Sequence, residues 1–134
     1  AEELKETVEQ FCTQVWNQGN LAVANKLLAK DCVCDDPLTP ARGREALKRH
    51  VASLRSAFPD LRWTIEDMLA EDDKVVARWS LQGTHEGTLP AIGTRPTGEV
   101  VTFTGISIYR FENSTIVEIW QEGDYLSLVN QLRS

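Results

Sequence analysis

The chain has 134 residues, 42% of them hydrophobic and 25% charged, and a formal net charge of -6. At this length one domain around a single core is expected, covering residues 1–134. No apolar run approaches the roughly 20 residues that span a bilayer. The acidic balance argues against phosphate-backbone binding, so neither nucleic acid nor an anionic membrane is an expected partner.

From Glu2 to Gln18 the apolar residues Leu4, Val8, Phe11, Cys12, Val15 and Trp16 form the stripe of an amphipathic helix, and Gly19 ends it. A second helix is predicted over Leu21 to Lys30. Cys32 to Pro37 reads as a short extended piece that closes in a Pro-rich bend through Pro40. The third helix runs from about Gly43 to Phe58, with Leu47, Val51, Leu54 and Phe58 on one stripe, and Pro59-Asp60 stops it.

Beyond Asp60 the period falls to two. Strands are predicted at 61–70, 74–84, 99–111 and 115–122, with turns at Asp72-Asp73 and Asn113-Ser114. Gly87 to Gly98, which holds Pro90, Gly93 and Pro96, reads as a loop. A last helix takes Tyr125 to Leu132, with Leu126, Val129 and Leu132 as its inner stripe. Helices followed by hairpins imply an α+β domain in which helices cover one face of a curved antiparallel sheet. Such packing leaves an apolar pocket suited to a small organic molecule.

The cysteines are Cys12, Cys32 and Cys34. An odd count, with no Cys-x-x-Cys, fits reduced and buried thiols in a cytoplasmic protein. The start shows no signal-peptide pattern. With only His50 and His85 beside these thiols, no metal site is expected.

Asp124 follows Gly123 and Trp120 where a strand gives way to a helix. It is either an N-cap or a pocket acid or base. Those roles pull its acidity in opposite directions, because capping favours the carboxylate and burial disfavours it. Alternation puts Val75, Ala77, Trp79 and Leu81 on one strand face. The same parity carries His85 to that face near the sheet rim, where an imidazole can exchange protons or hold a carboxylate. His50 flanks the third helix's stripe and reads as a boundary residue. Of Asp35 and Asp36 at most one can point inward, and a turn-forming Asp before Pro37 is the ordinary alternative. Trp16, Trp63, Trp79, Trp120 and Phe103 are core residues, some of which would face a planar ligand. No G-x-S-x-G, P-loop or dinucleotide fingerprint occurs.

Several pieces in order carry a family resemblance. They are Gly43-Arg44-Glu45, Ala57-Phe58-Pro59-Asp60-Leu61, Gly83-Thr84-His85-Glu86-Gly87, Pro96-Thr97-Gly98, Phe103-Thr104-Gly105-Ile106, Tyr109-Arg110-Phe111, and Trp120 with Asp124 ahead of Leu128 and Gln131-Leu132. Together they resemble the SnoaL-like polyketide cyclases, or ester-cyclase group, of the NTF2-like superfamily.

The resemblance implies a cone-shaped α+β fold, a homodimer through the sheet and a cofactor-free internal site. In that family an Asp serves as acid/base in an aldol-type ring closure. The matching position is Asp124, with His85 assisting and Asp36 and Trp120 as pocket groups. The chain departs from the family at Asp35, where relatives carry His or Asn, and along Leu89 to Arg95.

The implied function is cyclisation or isomerisation of a small carbonyl, polyketide-like compound. Steroid-isomerase-like relatives give a second enzymatic reading, with Asp36 at the base position but Cys12 and Ser107 where the donors are expected. Epoxide hydrolysis of the limonene type needs an Asp-Arg-Asp set, and Arg78 has the wrong parity for one. The non-enzymatic alternative is a dimeric module that binds a small apolar ligand, which a solvent-facing Asp124 would favour.

Overall fold

The computed structural model describes residues 2–89, 93 and 95–133, with Arg133 described by its backbone alone. Helix α1 (Glu2–Gln10) continues into a π-helical segment (Phe11–Asn17), followed by α2 (Leu21–Leu27), β1 (Leu28–Asp35), β2 (Ala41–Arg42) and α3 (Arg44–Ala57). Then come β3 (Arg62–Glu71), β4 (Lys74–Thr84), β5 (Val100–Glu112), β6 (Thr115–Gly123) and α4 (Tyr125–Arg133). The strands form one curved, unclosed sheet in the order β2-β1-β6-β5-β4-β3, with the helices on its concave side. This is the expected α+β cone.

Two features of the first half of the chain depart from the sequence reading. The predicted first helix changes to π geometry at Phe11, because Phe11, Cys12, Val15 and Trp16 are all at most 2% exposed. A wider turn lets both adjacent pairs face the sheet, and Gln18 N–H reaches back five residues to the Thr13 carbonyl. Arg55 Nη1 closes the segment by donating to the Trp16 and Asn17 carbonyls, each at 2.7 Å. The second departure is β1, which begins at Leu28 where the helix was predicted to continue to Lys30. Buried Leu28 and Ile116 pair there, and β1 runs parallel to β6, so the sheet is mixed rather than antiparallel throughout.

The long strands follow their period-two pattern. Val75, Ala77, Trp79 and Leu81 are buried from β4, and Val101, Phe103, Ser107, Tyr109 and Phe111 from β5. Arg78, of opposite parity, is exposed. The hairpin turns place Asp72, Asn113 and Ser114 at φ of 54°, 51° and 67°, a left-handed conformation that Asp and Asn adopt more readily than most side chains.

Helix α4 is rotated from its predicted phase. Leu128 and Leu132 are buried, whereas Leu126 is 72% exposed. The phase is set by Tyr125, whose hydroxyl bonds Asp36. In the 87–98 loop, Leu89 is buried and the His85 backbone pairs with Gly98 and Glu99. Pro90 lies outside the described residues.

Cys12, Cys32 and Cys34 are free and buried, and burial pushes each thiol up to about 12. They are therefore poor nucleophiles at neutral pH. Among the described residues, no helix is long and apolar enough to cross a membrane, and no group of three or more His, Cys, Asp or Glu could hold a metal ion.

Candidate active site

A cavity lies between the concave sheet face, the π segment and α3. It measures about 30 Å³, counted as the space open to water centres. A larger cleft of about 770 Å³ runs outside between the π segment and β3, but it is open to solvent and shares only Trp63 with the cavity.

The cavity wall is aromatic. Trp16 and Trp63 lie 4.7 Å apart between ring centroids, Trp63 and Trp79 4.3 Å, Trp79 and Phe103 5.8 Å, and Phe103 and Tyr125 5.8 Å. These rings come from five different elements, so the wall exists only once helix and sheet have packed. Trp16, Trp63, Trp79 and Phe103 thus line the cavity.

The polar end is built around Asp36, which is 3% exposed. Its Oδ1 accepts the backbone N–H of Leu38 at 2.9 Å and of Thr39 at 3.2 Å, the turn through Pro37 that the alternative reading of this Asp expected. Its Oδ2 accepts Gln121 Nε2 at 3.0 Å and the Tyr125 hydroxyl at 2.5 Å. All four partners are donors, so the site is made for a carboxylate.

The chain of hydrogen bonds behind Gln121 has a fixed direction. Trp79 Nε1, a group that can only donate, reaches Ser107 Oγ at 2.9 Å, and Ser107 Oγ donates to Gln121 Oε1 at 3.1 Å. Gln121 must therefore turn its NH₂ toward Asp36. Asp36 itself stands behind Tyr125 and Gln121, and it is these two that line the cavity. Burial, reinforced by the adjacent Asp36 carboxylate, pushes the Tyr125 phenol well above its usual range, so it stays protonated.

His50, read from sequence as a boundary residue, also lines the cavity. Its Nε2 lies 3.4 Å from Thr39 Oγ1, and its ring meets Trp16 edge-on at 5.8 Å. Burial holds the imidazole below its ordinary 6.5 against the opposing pull of Asp36, so it is neutral at neutral pH.

The other expected site residues lie elsewhere. Asp124 is exposed; its Oδ1 accepts the Ser127 N–H at 3.1 Å, which makes it the N-cap of α4. His85 is fully buried, as its strand parity implied, but it does not line the cavity. Its ring rests on Phe58 at 5.6 Å, and its Nδ1 accepts the Thr97 N–H at 3.2 Å, which leaves the proton on Nε2. Among the described residues no hydrogen bond or ion pair joins Asp124 to His85. Trp120 points away from the cavity to the outer sheet face, where it borders a shallow depression with Ile106, Ile108, Pro37 and Pro40. The cause is register: Gln121, its neighbour in β6, takes the inward position.

Tyr125, Gln121, Ser107 and His50 were missed. Gln121 and Ser107 share inward parity with Ile119 and Tyr109, a signal that alternation carries. His50 stands three residues after Leu47 and four before Leu54, on the edge of the apolar stripe. Tyr125 gave no such signal, because its partner lies 89 residues away in sequence.

The fold has counterparts among known proteins. A candidate polyketide cyclase from Acidithiobacillus ferrooxidans is 32% identical over 98% of this chain and 94% of that one, with a TM-score of 0.85. IdmH, a candidate polyketide cyclase from Streptomyces antibioticus, is 27% identical over 98% and 99%, with a TM-score of 0.84. A candidate SnoaL-like polyketide cyclase from Jannaschia sp. CCS1 superposes with a TM-score of 0.90 over 99% and 93%, and at 20% identity it bears on the fold alone. No curated protein matches the sequence. The profile of the SnoaL-like polyketide cyclases matches residues 6–132. Fold and profile agree over almost the whole length, and the chain belongs to the SnoaL-like polyketide cyclase family.

Proposed function

We propose that this chain moves a proton on a small carbonyl compound held in the cone cavity, as a cyclase or isomerase of aldol type. The observation that carries this reading is the 2.5 Å hydrogen bond from Tyr125 to Asp36 at the polar end of an aromatic cavity. The phenol spends its single proton on Asp36, so its oxygen offers lone pairs to a ligand. In the step, a C–H bond next to the carbonyl breaks and its proton passes to Tyr125 Oη. The phenol proton passes to Asp36 Oδ2, and the electron pair remains on the substrate as an enolate. Reversing the relay returns the proton to a new carbon in isomerisation, or to the alkoxide formed by ring closure.

Exchange of α-protons in D₂O, followed by NMR on cyclohexane-1,3-dione and 2-cyclohexen-1-one, tests this without knowledge of the natural product. Tyr125→Phe should slow exchange about 100-fold or more. Asp124→Asn should leave it within about twofold and weaken the fold by roughly 1 kcal/mol at most through the lost cap. The opposite pattern would return the acid/base role to Asp124 with His85. Binding of both rings without exchange would instead support a non-catalytic binding module.

The homodimer belongs to the same reading. Ile106 is 49% exposed beside Ile108 and Trp120 on the outer sheet face, an apolar patch suited to the same patch on a second copy. Ile106→Glu should convert a dimer to a monomer in sedimentation; a wild-type monomer would count against it.

A further inference from the structure

We infer that the Trp63 indole Nε1–H is the donor that receives a ligand's carbonyl oxygen in this cavity. The inference rests on the proposed small-carbonyl reading and adds the group that recognises the oxygen.

The hydrogen bonds of the cavity wall leave little choice. Tyr125 gives its proton to Asp36, Gln121 is committed to Asp36 and Ser107, and Trp79 Nε1 is committed to Ser107. Thr39 Oγ1 and His50 Nε2 face each other. Trp63 is 4% exposed and lines the cavity, yet its Nε1 is buried with no partner among the described residues. Buried polar groups in native proteins are nearly always paired, so an orphan on a cavity wall calls for an acceptor. An indole N–H can only donate, which restricts that acceptor to an oxygen or another lone pair.

Among the described residues two other buried groups also lack hydrogen-bond partners, Arg44 Nε and His85 Nε2, but neither residue lines this cavity. The Trp63 ring is held from both sides by Trp16 and Trp79, and its backbone is tied to Asn17 by N–H to Oδ1 at 2.6 Å and Nδ2 to the carbonyl at 2.9 Å. The donor is therefore preset before a ligand arrives. The ligand class follows: a small neutral ketone or enone whose apolar part lies against the indoles and whose oxygen meets Trp63. During proton removal the same oxygen gains negative charge, and a preset donor in a dry site then interacts more strongly.

The test is an NMR titration of the wild-type indole N–H signals with 2-cyclohexen-1-one and, as the same ring without oxygen, cyclohexene. Trp63→Phe identifies the Trp63 signal by its loss. The enone should move the Trp63 indole proton downfield while cyclohexene leaves it nearly in place. The Phe variant should bind the enone about tenfold more weakly and cyclohexene equally well, the size expected for one neutral hydrogen bond. If the enone shifts Trp79 and Tyr125 but leaves the Trp63 signal unmoved, the donor assignment falls and the cavity reading stands. If neither ring perturbs any cavity residue, both fall.

Discussion

Asp36→Ala is expected to cost the fold about 3 kcal/mol or more, the largest loss from any single polar change. The carboxylate accepts from Gln121, Tyr125 and the N–H groups of Leu38 and Thr39. Its removal strands two side-chain donors in the interior, each at roughly 1–3 kcal/mol, and loosens the turn before α3. Asp36→Asn should fall in between. One oxygen can still serve Leu38 and Thr39, but the new NH₂ must then face the NH₂ of Gln121. The Gln121 amide cannot turn over to relieve the clash, because Ser107, fixed by Trp79, already claims its oxygen. Urea midpoints at constant slope should rank wild type above Asn and Asn above Ala. An Asn variant as stable as wild type would show that the donors are not aimed as described.

Gly105→Ala should destabilise by a similar amount for a different reason. A Cβ at residue 105 would stand 2.3 Å from Trp79 Cζ2 and 2.6 Å from the Glu122 carbonyl oxygen. Neither neighbour can yield. Trp79 is stacked on Trp63 and tethered through Nε1 to Ser107, and Glu122 belongs to the adjacent strand, where Ile106 pairs with it. Overpacking of this kind costs about 1–3 kcal/mol, and more where backbone must move. Gly98→Ala is the control: it has a φ of 72° and nothing within 4 Å, so only backbone strain of about 1 kcal/mol is expected. Thermal unfolding separates the two, and the near-ultraviolet signal of the indole stack should change for Gly105→Ala alone. An unchanged midpoint for that variant would mean that Trp79 does not sit over β5.

These two predictions concern one unit. Gly105 makes room for Trp79, Trp79 sets the direction of the Ser107–Gln121 chain, and that chain holds Asp36 for Tyr125. A fault in the packing should thus reach the polar end of the cavity as well as the core.

The sequence by itself determined whatever depends on neighbours in the chain. Period-two alternation placed β4 at Lys74–Thr84 with Trp79 and Leu81 inward, and the stripe of α3 put Leu47, Val51 and Phe58 in the core. The Asp and Asn turns closed the hairpins, and the ordered motifs named the family that the profile match supports. Tertiary structure decided the rest. The parallel pairing of β1 with β6 brings Asp36 to Gln121, 85 residues away, and docking of α4 brings Tyr125 there. That docking also leaves Asp124 at the rim as a cap, although its place before a helix suited a pocket base equally well. Four buried side chains in two adjacent pairs, Phe11-Cys12 and Val15-Trp16, widened the first helix to π geometry, which no 3.6-residue stripe predicts. The physical reason is common to all of these. Alternation and helical period fix which face of an element is apolar, but the partner of a buried polar group is chosen by long-range register, where a shift of one residue exchanges Trp120 for Gln121.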